Sequence, residues 1–312
     1  MKREQRNAYL ALAWVSFFWG TTYLAARISA HYMPGLFVAG VRQAVSGLVL
    51  VGYFKAAGYA WPDKKSLAKI AVQGFFLLAV SNGLLTWAME YIDSGLGAII
   101  AGMVPLFVAL FSIWLMRFAR FTPLMITGLV IGFGGILTIF YEHFAQLLNS
   151  RFAIGTTLAL IATVSWSFGT VFAARYKPRT EILFGVGLQM LFAGVLMLVV
   201  CGLSGKYVNL ATANPDALWG LLYLIVVGSL LTYSAYVFAV HKLPPTQVSV
   251  YAYINPIVAI FLGWLVLKEH MSLNVITGTL ITLGGVWLVN REFKKQRHSV
   301  SSKEEVAQLG RQ

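Results

Sequence analysis

Long apolar runs separated by short polar or Pro/Gly-containing breaks dominate the chain. An α-helix rises about 1.5 Å per residue, so about 20 apolar residues cross the roughly 30 Å of a bilayer's hydrocarbon. Ten runs reach that length and predict spanning helices near 8–28, 35–54, 69–89, 95–116, 122–141, 153–174, 182–203, 217–240, 246–267 and 272–290. The connectors are short, and the two longest lie near 55–68 and 204–216. The first run is too long and too aromatic for a cleaved signal peptide, so a retained first span is expected.

The pattern repeats. Val15-Ser16 and Gly20-Thr21 in the first run return as Val164-Ser165 and Gly169-Thr170 in the sixth, and Ala88 and Pro105 return as Ala239 and Pro256. Ile126-Thr127-Gly128 followed by Gly134-Gly135 returns as Ile276-Thr277-Gly278 followed by Gly284-Gly285. Two such patterns in corresponding runs mark an internal duplication. This predicts a first five-helix repeat over 1–148, a second over 149–290 and a basic cytoplasmic tail over 291–312, expected to be disordered. Because five is odd, the second repeat starts from the opposite side of the membrane. The fold class expected is therefore an all-α integral membrane protein of ten transmembrane helices arranged as two inverted five-helix repeats.

Charge tests the segmentation. With the N-terminus inside, nineteen of the 24 Lys and Arg residues fall on the inner side, and only Arg27, Arg151, Lys206 and Lys268 fall outside. Arg42 lies within a span. Basic residues collect on the cytoplasmic side of short loops, so both termini are predicted to be cytoplasmic in a multi-pass inner or plasma membrane protein. The formal net charge of +13 is thereby explained without nucleic acid, because the basic residues form short clusters between apolar runs and no continuous stripe. Composition agrees: 58% of residues are hydrophobic and 11% charged, far from the balance of a water-soluble domain.

Several local motifs carry a family resemblance: Phe18-Trp19-Gly20-Thr21-Thr22-Tyr23, Gly40-Val41-Arg42, Ser81-Asn82-Gly83, Val104-Pro105-Leu106-Phe107, Ser165-Trp166-Ser167-Phe168-Gly169 and Tyr251-Ala252-Tyr253-Ile254-Asn255-Pro256. With these, the chain from about Ala8 to Asn290 resembles the EamA-type branch of the drug/metabolite transporter superfamily. The resemblance implies a ten-helix carrier with cytoplasmic ends, often an exporter of amino acids or other metabolites, and a central cavity lined from both halves. The chain departs from the family pattern at the end of the fourth span, where Arg117-Phe118 replaces the usual Gly-Glu pair, while the second copy keeps Glu269.

Within the spans, Arg42 is the sharpest feature. A cation at that depth costs about 2.5–3.5 kcal/mol on insertion scales unless it meets water, a partner or a ligand. Two readings stand: its guanidinium receives a substrate carboxylate, or it is structural, bonded to backbone carbonyls or paired with Glu90, with only Leu188 near its repeat position. Trp19, Trp166, Tyr233, Tyr251 and Tyr253 offer stacking surfaces to an apolar or aromatic substrate, or simply pack helices. Asn82 and Asn255 must find hydrogen-bond partners in the span interior. These eight residues form the expected substrate cavity. Pro105 and Pro256, taken as mid-helix prolines, are the expected hinges. Gly128, Gly132 and the Gly-Gly pairs allow close helix approach, within one chain or at a dimer seam, so monomer and homodimer both stand.

The remaining chemistry is sparse. The one cysteine, Cys201, allows no internal disulfide and reads as a small apolar residue. No metal-ligand spacing appears, and neither metal nor cofactor is expected. No Gly-x-x-x-x-Gly-Lys-Ser/Thr phosphate loop occurs, so transport would draw on gradients. No convergent cluster of acids, bases and nucleophiles supports an enzyme, and the short loops offer little to a scaffold. The expected partners are a small-molecule substrate and the lipid bilayer, with no nucleic acid. The expected function is a secondary transporter that exports or exchanges amino acids or related metabolites by alternating access; the alternative is an integral membrane enzyme or scaffold without transport.

Overall fold

The computed structural model describes residues 3–116, 122–142, 149–243, 248, 251–269 and 272–309. Among the described residues, besides the short 3-10 turn Leu210–Thr212, ten helical segments follow one another: α1 (Arg3–Tyr32), α2 (Gly35–Ala56), α3 (Lys64–Ala88), α4 (Ser94–Ala101 and Val104–Met116), α5 (Pro123–Glu142), α6 (Ser150–Arg175), α7 (Ile182–Leu203), α8 (Pro215–Lys242), α9 (Tyr251–Leu262) and α10 (Leu273–Leu309). Each apolar run of the sequence thus holds a helix. Six of them, α2, α3, α4, α6, α7 and α8, are long and apolar enough to cross a membrane, and shorter apolar stretches lie in α5, α9 and α10. No strand occurs among the described residues.

Two departures from a plain ten-helix pattern stand out. The last helix continues to Leu309, so residues 291–309 are helical where disorder was expected. Extending a formed helix avoids the cost of nucleating a new one, and the Lys, Glu, Ala and Gln of that segment are good helix formers. Within α3 and α8, the stretches Phe75–Asn82 and Leu224–Tyr233 are wound as π-helix, and a third π stretch, Gly263–Leu267, closes α9.

Glycine sets the two closest helix contacts. In the α2–α7 pair, Gly47 lies on the backbone of Leu191 and Gly194 on the backbone of Ala44. Both α2 and α7 have 22 residues, and a step of 147 carries Ala44 to Leu191 and Gly47 to Gly194. In the α5–α10 pair, Gly135 meets Thr282 while Gly285 meets Gly132; here the step is 150. Each contact is therefore made twice with the roles of the halves exchanged, the mark of a two-fold axis. The repeat glycines Gly128, Gly132, Gly135, Gly278 and Gly285 are used within the chain.

Between these pairs, two apolar clusters fill the bundle. One gathers Trp19, Leu77, Met190, Tyr236 and Val240, and the other Ala25, Met89, Ile99, Ala159 and Leu221. The first lies toward the end where Glu4 pairs with Lys242 at 3.2 Å and Lys177 donates to the His241 carbonyl. The second lies toward the opposite end, where Arg27 pairs with Asp93 at 3.7 Å. Cys201 is buried, as a small apolar residue would be.

A side chain at Gly47 would separate α2 from α7. Gly47→Val is expected to cost about 1–3 kcal/mol or more, the scale of overpacking, and to lower the melting temperature in detergent. Gly134→Val, at a glycine with open space around it, is expected to leave it unchanged. Equal melting of both variants would refute the close-contact account.

Candidate functional site

A cavity of about 90 Å³ lies between the two apolar clusters. On α1 it is lined by Trp19, Thr22, Tyr23 and Ala26, whose i, i+3, i+4, i+7 spacing makes one helix face. The first half also contributes, among others, Arg42 and Gln43 of α2, Ser81 and Asn82 of α3, and Gly102 at the break of α4; Thr163, Trp166, Tyr233, Tyr251 and Asn255 are among those that come from the second. The structure therefore brings Trp19, Arg42, Asn82, Trp166, Tyr233, Tyr251 and Asn255 around one space. The side chain of Tyr253 lies outside the described residues, as do Arg117 and Phe118.

Arg42 is 4% exposed and sits about 10 Å along α2 from Gly35 at about 1.5 Å per residue. Its Nε donates to Ser229 Oγ at 2.7 Å. Four residues on, Ser46 donates to the Ile225 carbonyl at 3.3 Å, so α2 grips the π-wound stretch of α8 at two points one turn apart. The wider π winding and the absence of a side chain at Gly228 make the room: a Cβ there would stand 2.7 Å from Arg42 Nη2. The ion pairs among the described residues are Arg27–Asp93 and Lys242–Glu4, so no carboxylate neutralises Arg42 there.

The pairing of Arg42 with Glu90 considered from sequence does not form. Glu90 instead accepts from the Gly35 N–H at 2.6 Å, capping α2, whose N-cap residue Pro34 offers no side-chain acceptor. The helix register also replaces Leu188 with Gln189 as the repeat counterpart of Arg42, because the α2–α7 step is 147. Glu269 caps α4, accepting from Ser94 N at 2.9 Å and Gly95 N at 3.2 Å, where the positive end of the helix dipole favours a carboxylate.

Aromatic rings close the cavity toward the Glu4–Lys242 end. Trp19 lies 5.2 Å from Trp166, 4.8 Å from Tyr236 and 5.1 Å from Tyr251, centroid to centroid. Trp166 Nε1 donates to Tyr251 Oη at 2.8 Å, and Tyr236 shares a hydrogen bond with Thr170 at 2.7 Å. From this floor a buried chain runs outward: Tyr233 Oη donates to Gln189 Oε1 at 2.6 Å, Gln189 Nε2 to Gln73 Oε1 at 2.7 Å, and Gln73 Nε2 to the Tyr176 carbonyl at 3.0 Å. Sequence reading missed Gln43, Gln73, Gln189 and Ser229, although three glutamines inside apolar runs were themselves a signal of obligatory partners.

The two prolines differ. Pro256 lies inside α9, but α4 breaks at Gly102 and Met103, and Pro105 falls in the first turn of its second part, where the missing N–H costs little. Mid-helix placement is thus correct for Pro256 only. The Pro256 ring lies against Gly102, 3.4 Å from where a Cβ would be. Hydroxyls from α6 serve carbonyls near the break, with Ser167 donating to Val104 O at 3.2 Å and Thr163 to Ile100 O at 3.5 Å. Asn82 is half-buried, whereas Asn255 is fully buried. Asn255 Nδ2, in the orientation its neighbours require, donates to Ser16 O at 2.8 Å and Tyr251 O at 3.2 Å, joining α9 to α1.

This fold and cavity define a multi-pass helical membrane protein built to enclose a small polar-and-aromatic space. The EamA-like transporter family matches the chain twice, over residues 6–141 and 153–291; the chain belongs to that family and is a membrane transporter. The uncharacterized inner membrane transporter YedA of Escherichia coli K12 is 33% identical over 278 residues, covering 85% of this chain and 87% of that protein. The uncharacterized transporter YoaV of Bacillus subtilis is 24% identical, covering 92% and 98%. A solved crystal structure shares the fold with a TM-score of 0.65 at 17% identity, covering 92% of this chain and 98% of that one.

Gly228→Ala is expected to push the Arg42 guanidinium off Ser229 and to weaken transport of a solute that Arg42 binds about tenfold or more, the scale of a hydrogen bond to a charged group. Gly202→Ala, with open space around it, serves as the silent control in the same uptake assay. At the opposite end, burial pushes the Glu90 carboxyl above its ordinary pKa, outweighing the downward pull of the Gly35 N–H, Lys206 and Arg151. The fold thus favours protonated Glu90, and this contribution to stability is present below the ordinary carboxylate range and lost as pH rises through the raised value. Glu90→Gln is expected to flatten that fall; melting curves between about pH 4 and 8 that keep the wild-type slope would contradict it.

Proposed function

We propose that this protein is a secondary transporter that exports or exchanges amino acids or related small metabolites bearing a carboxylate, working by alternating access across the inner or plasma membrane with both termini in the cytoplasm. The observation that carries this reading is Arg42: a buried, permanently charged guanidinium on the cavity wall, held at one nitrogen by Ser229 and lacking a carboxylate partner among the described residues. A charge in that setting is stabilised by an anion brought to it, and the forked donor geometry suits a carboxylate. The ring floor of Trp19, Trp166 and Tyr251 offers an apolar surface to the rest of the solute.

The asymmetry of Lys and Arg along the sequence supports the orientation, and the name of the Escherichia coli relative supports the inner membrane. For the hinge we assign the Gly102 break of α4, Pro105 behind it and Pro256 against it, since helix breaks are where a bundle bends. Inverted halves around a mid-membrane cavity then rock to open either end in turn.

Protein reconstituted in liposomes should exchange carboxylate-bearing amino acids in a counterflow panel. Arg42→Leu should reduce that exchange at least about tenfold while the melting temperature holds, and Arg42→Lys should retain part of it as a point charge without the fork. Equal loss for neutral solutes together with a lowered melting temperature would assign Arg42 a structural role instead.

A further inference from the structure

We infer that Gln43 is the receptor for a substrate's α-ammonium group, so that the cavity selects zwitterionic amino acids over 2-hydroxy and 2-oxo acids of the same side chain. The inference rests on the reading of Arg42 as the carboxylate receptor and adds the second point of attachment.

Gln43 is 1% exposed and lines the cavity beside Arg42. Its Nε2 donates to Asn82 Oδ1 at 3.1 Å, which fixes the plane of the amide. Its Oε1 is buried and accepts no hydrogen bond from the described residues. A buried acceptor left empty is costly and uncommon in a folded protein. Here it belongs to the residue that follows Arg42 on α2; Arg42 is a cation without a carboxylate partner among the described residues, and both residues line the same cavity.

The two deficits are complementary to a single small molecule. A carboxylate satisfies the guanidinium, and an ammonium two bonds away from it supplies the N–H that the amide oxygen lacks. A neutral amide suits this task better than a carboxylate would, because an acid at position 43 would pair with Arg42 and occupy the receptor for the substrate's own carboxylate. A 2-hydroxy acid offers the amide oxygen only an uncharged donor, which makes a weaker bond than an ammonium. A 2-oxo acid sets two acceptors face to face. Chemistry at this one position therefore separates the three classes while Arg42 binds them alike.

The experiment is counterflow of labelled L-phenylalanine in liposomes holding the full-length protein, competed by unlabelled L-phenylalanine, L-leucine, phenyllactate and 2-hydroxyisocaproate. The wild type is expected to favour each amino acid over its hydroxy acid at least about tenfold, the order of one hydrogen bond to a charged group. Gln43→Leu is expected to remove that preference by weakening the amino acids while the hydroxy acids compete as before. Gln43→Glu is expected to weaken all four, by neutralising Arg42. Melting temperatures identify a misfolded variant, and Gln43→Met then replaces the leucine variant. A wild type that treats both classes alike, or a Gln43→Leu that weakens both by the same factor, overturns the assignment of Gln43 and leaves Arg42 untouched. Failure of every carboxylate to compete in the wild type overturns the Arg42 reading, and this one with it.

Discussion

In hydrocarbon a polar group has no water to fall back on, and nearly every feature of this structure answers that constraint. Where α4 breaks, hydroxyls of α6 reach carbonyls beside the break. Where α2 and α4 begin, Glu90 and Glu269 bond the first free N–H groups from other parts of the chain. Where Asn255 is buried, two carbonyls accept from it. Against so thorough a settlement, a wall carrying a half-bonded guanidinium and an unbonded amide oxygen stands out; among the described residues the other buried side-chain atom without a partner is Ser234 Oγ on α8. Exceptions of this kind are expected at a functional site, since elsewhere they only cost stability.

The second governing feature is close backbone approach. Interhelical attraction inside a membrane relies on packing more than on expelled water, so small residues decide which helices touch. The α2–α7 and α5–α10 pairs use glycine for this, each contact having its mirror in the other half. Those pairs fix the halves against each other, and α1, α3, α4, α6, α8 and α9 shape the cavity together with the Arg42–Gln43 face of α2. The symmetry is broken where chemistry begins: the step of 147 that matches Gly47 to Gly194 turns Arg42 into Gln189. One half thus presents a charge, and the other a neutral amide bonded to Tyr233.

The number and position of the helices were legible because the spanning requirement writes itself as run length, and because the duplication checks the count. Arg42, Trp19, Trp166 and Asn255 were legible for a related reason: each is an uncommon residue in an apolar run and must be explained. What sequence could not reveal depends on register between distant helices. Leu188 and Gln189 are adjacent in the chain, and only the α2–α7 contact tells which of them matches Arg42. The π stretches were hidden because apolar residues such as Leu224 to Leu231 accept either winding. Pro105 looked like the twin of Pro256, but the break at Gly102, two residues earlier still than Val104, moves it to a helix start. The helical continuation to Leu309 was hidden by composition, since a polar, charged segment reads as tail until a neighbouring helix extends into it.

The glutamine chain beneath the cavity has its own consequence. Primary amides neither take up nor release protons in the ordinary aqueous range, so the two glutamines on the path from Tyr233 through Gln189 and Gln73 to Tyr176 carry no charge there. The bonds that tie the Tyr233 ring to the turn after α6 therefore pass through amides whose donor and acceptor roles stay the same in acid and in alkali.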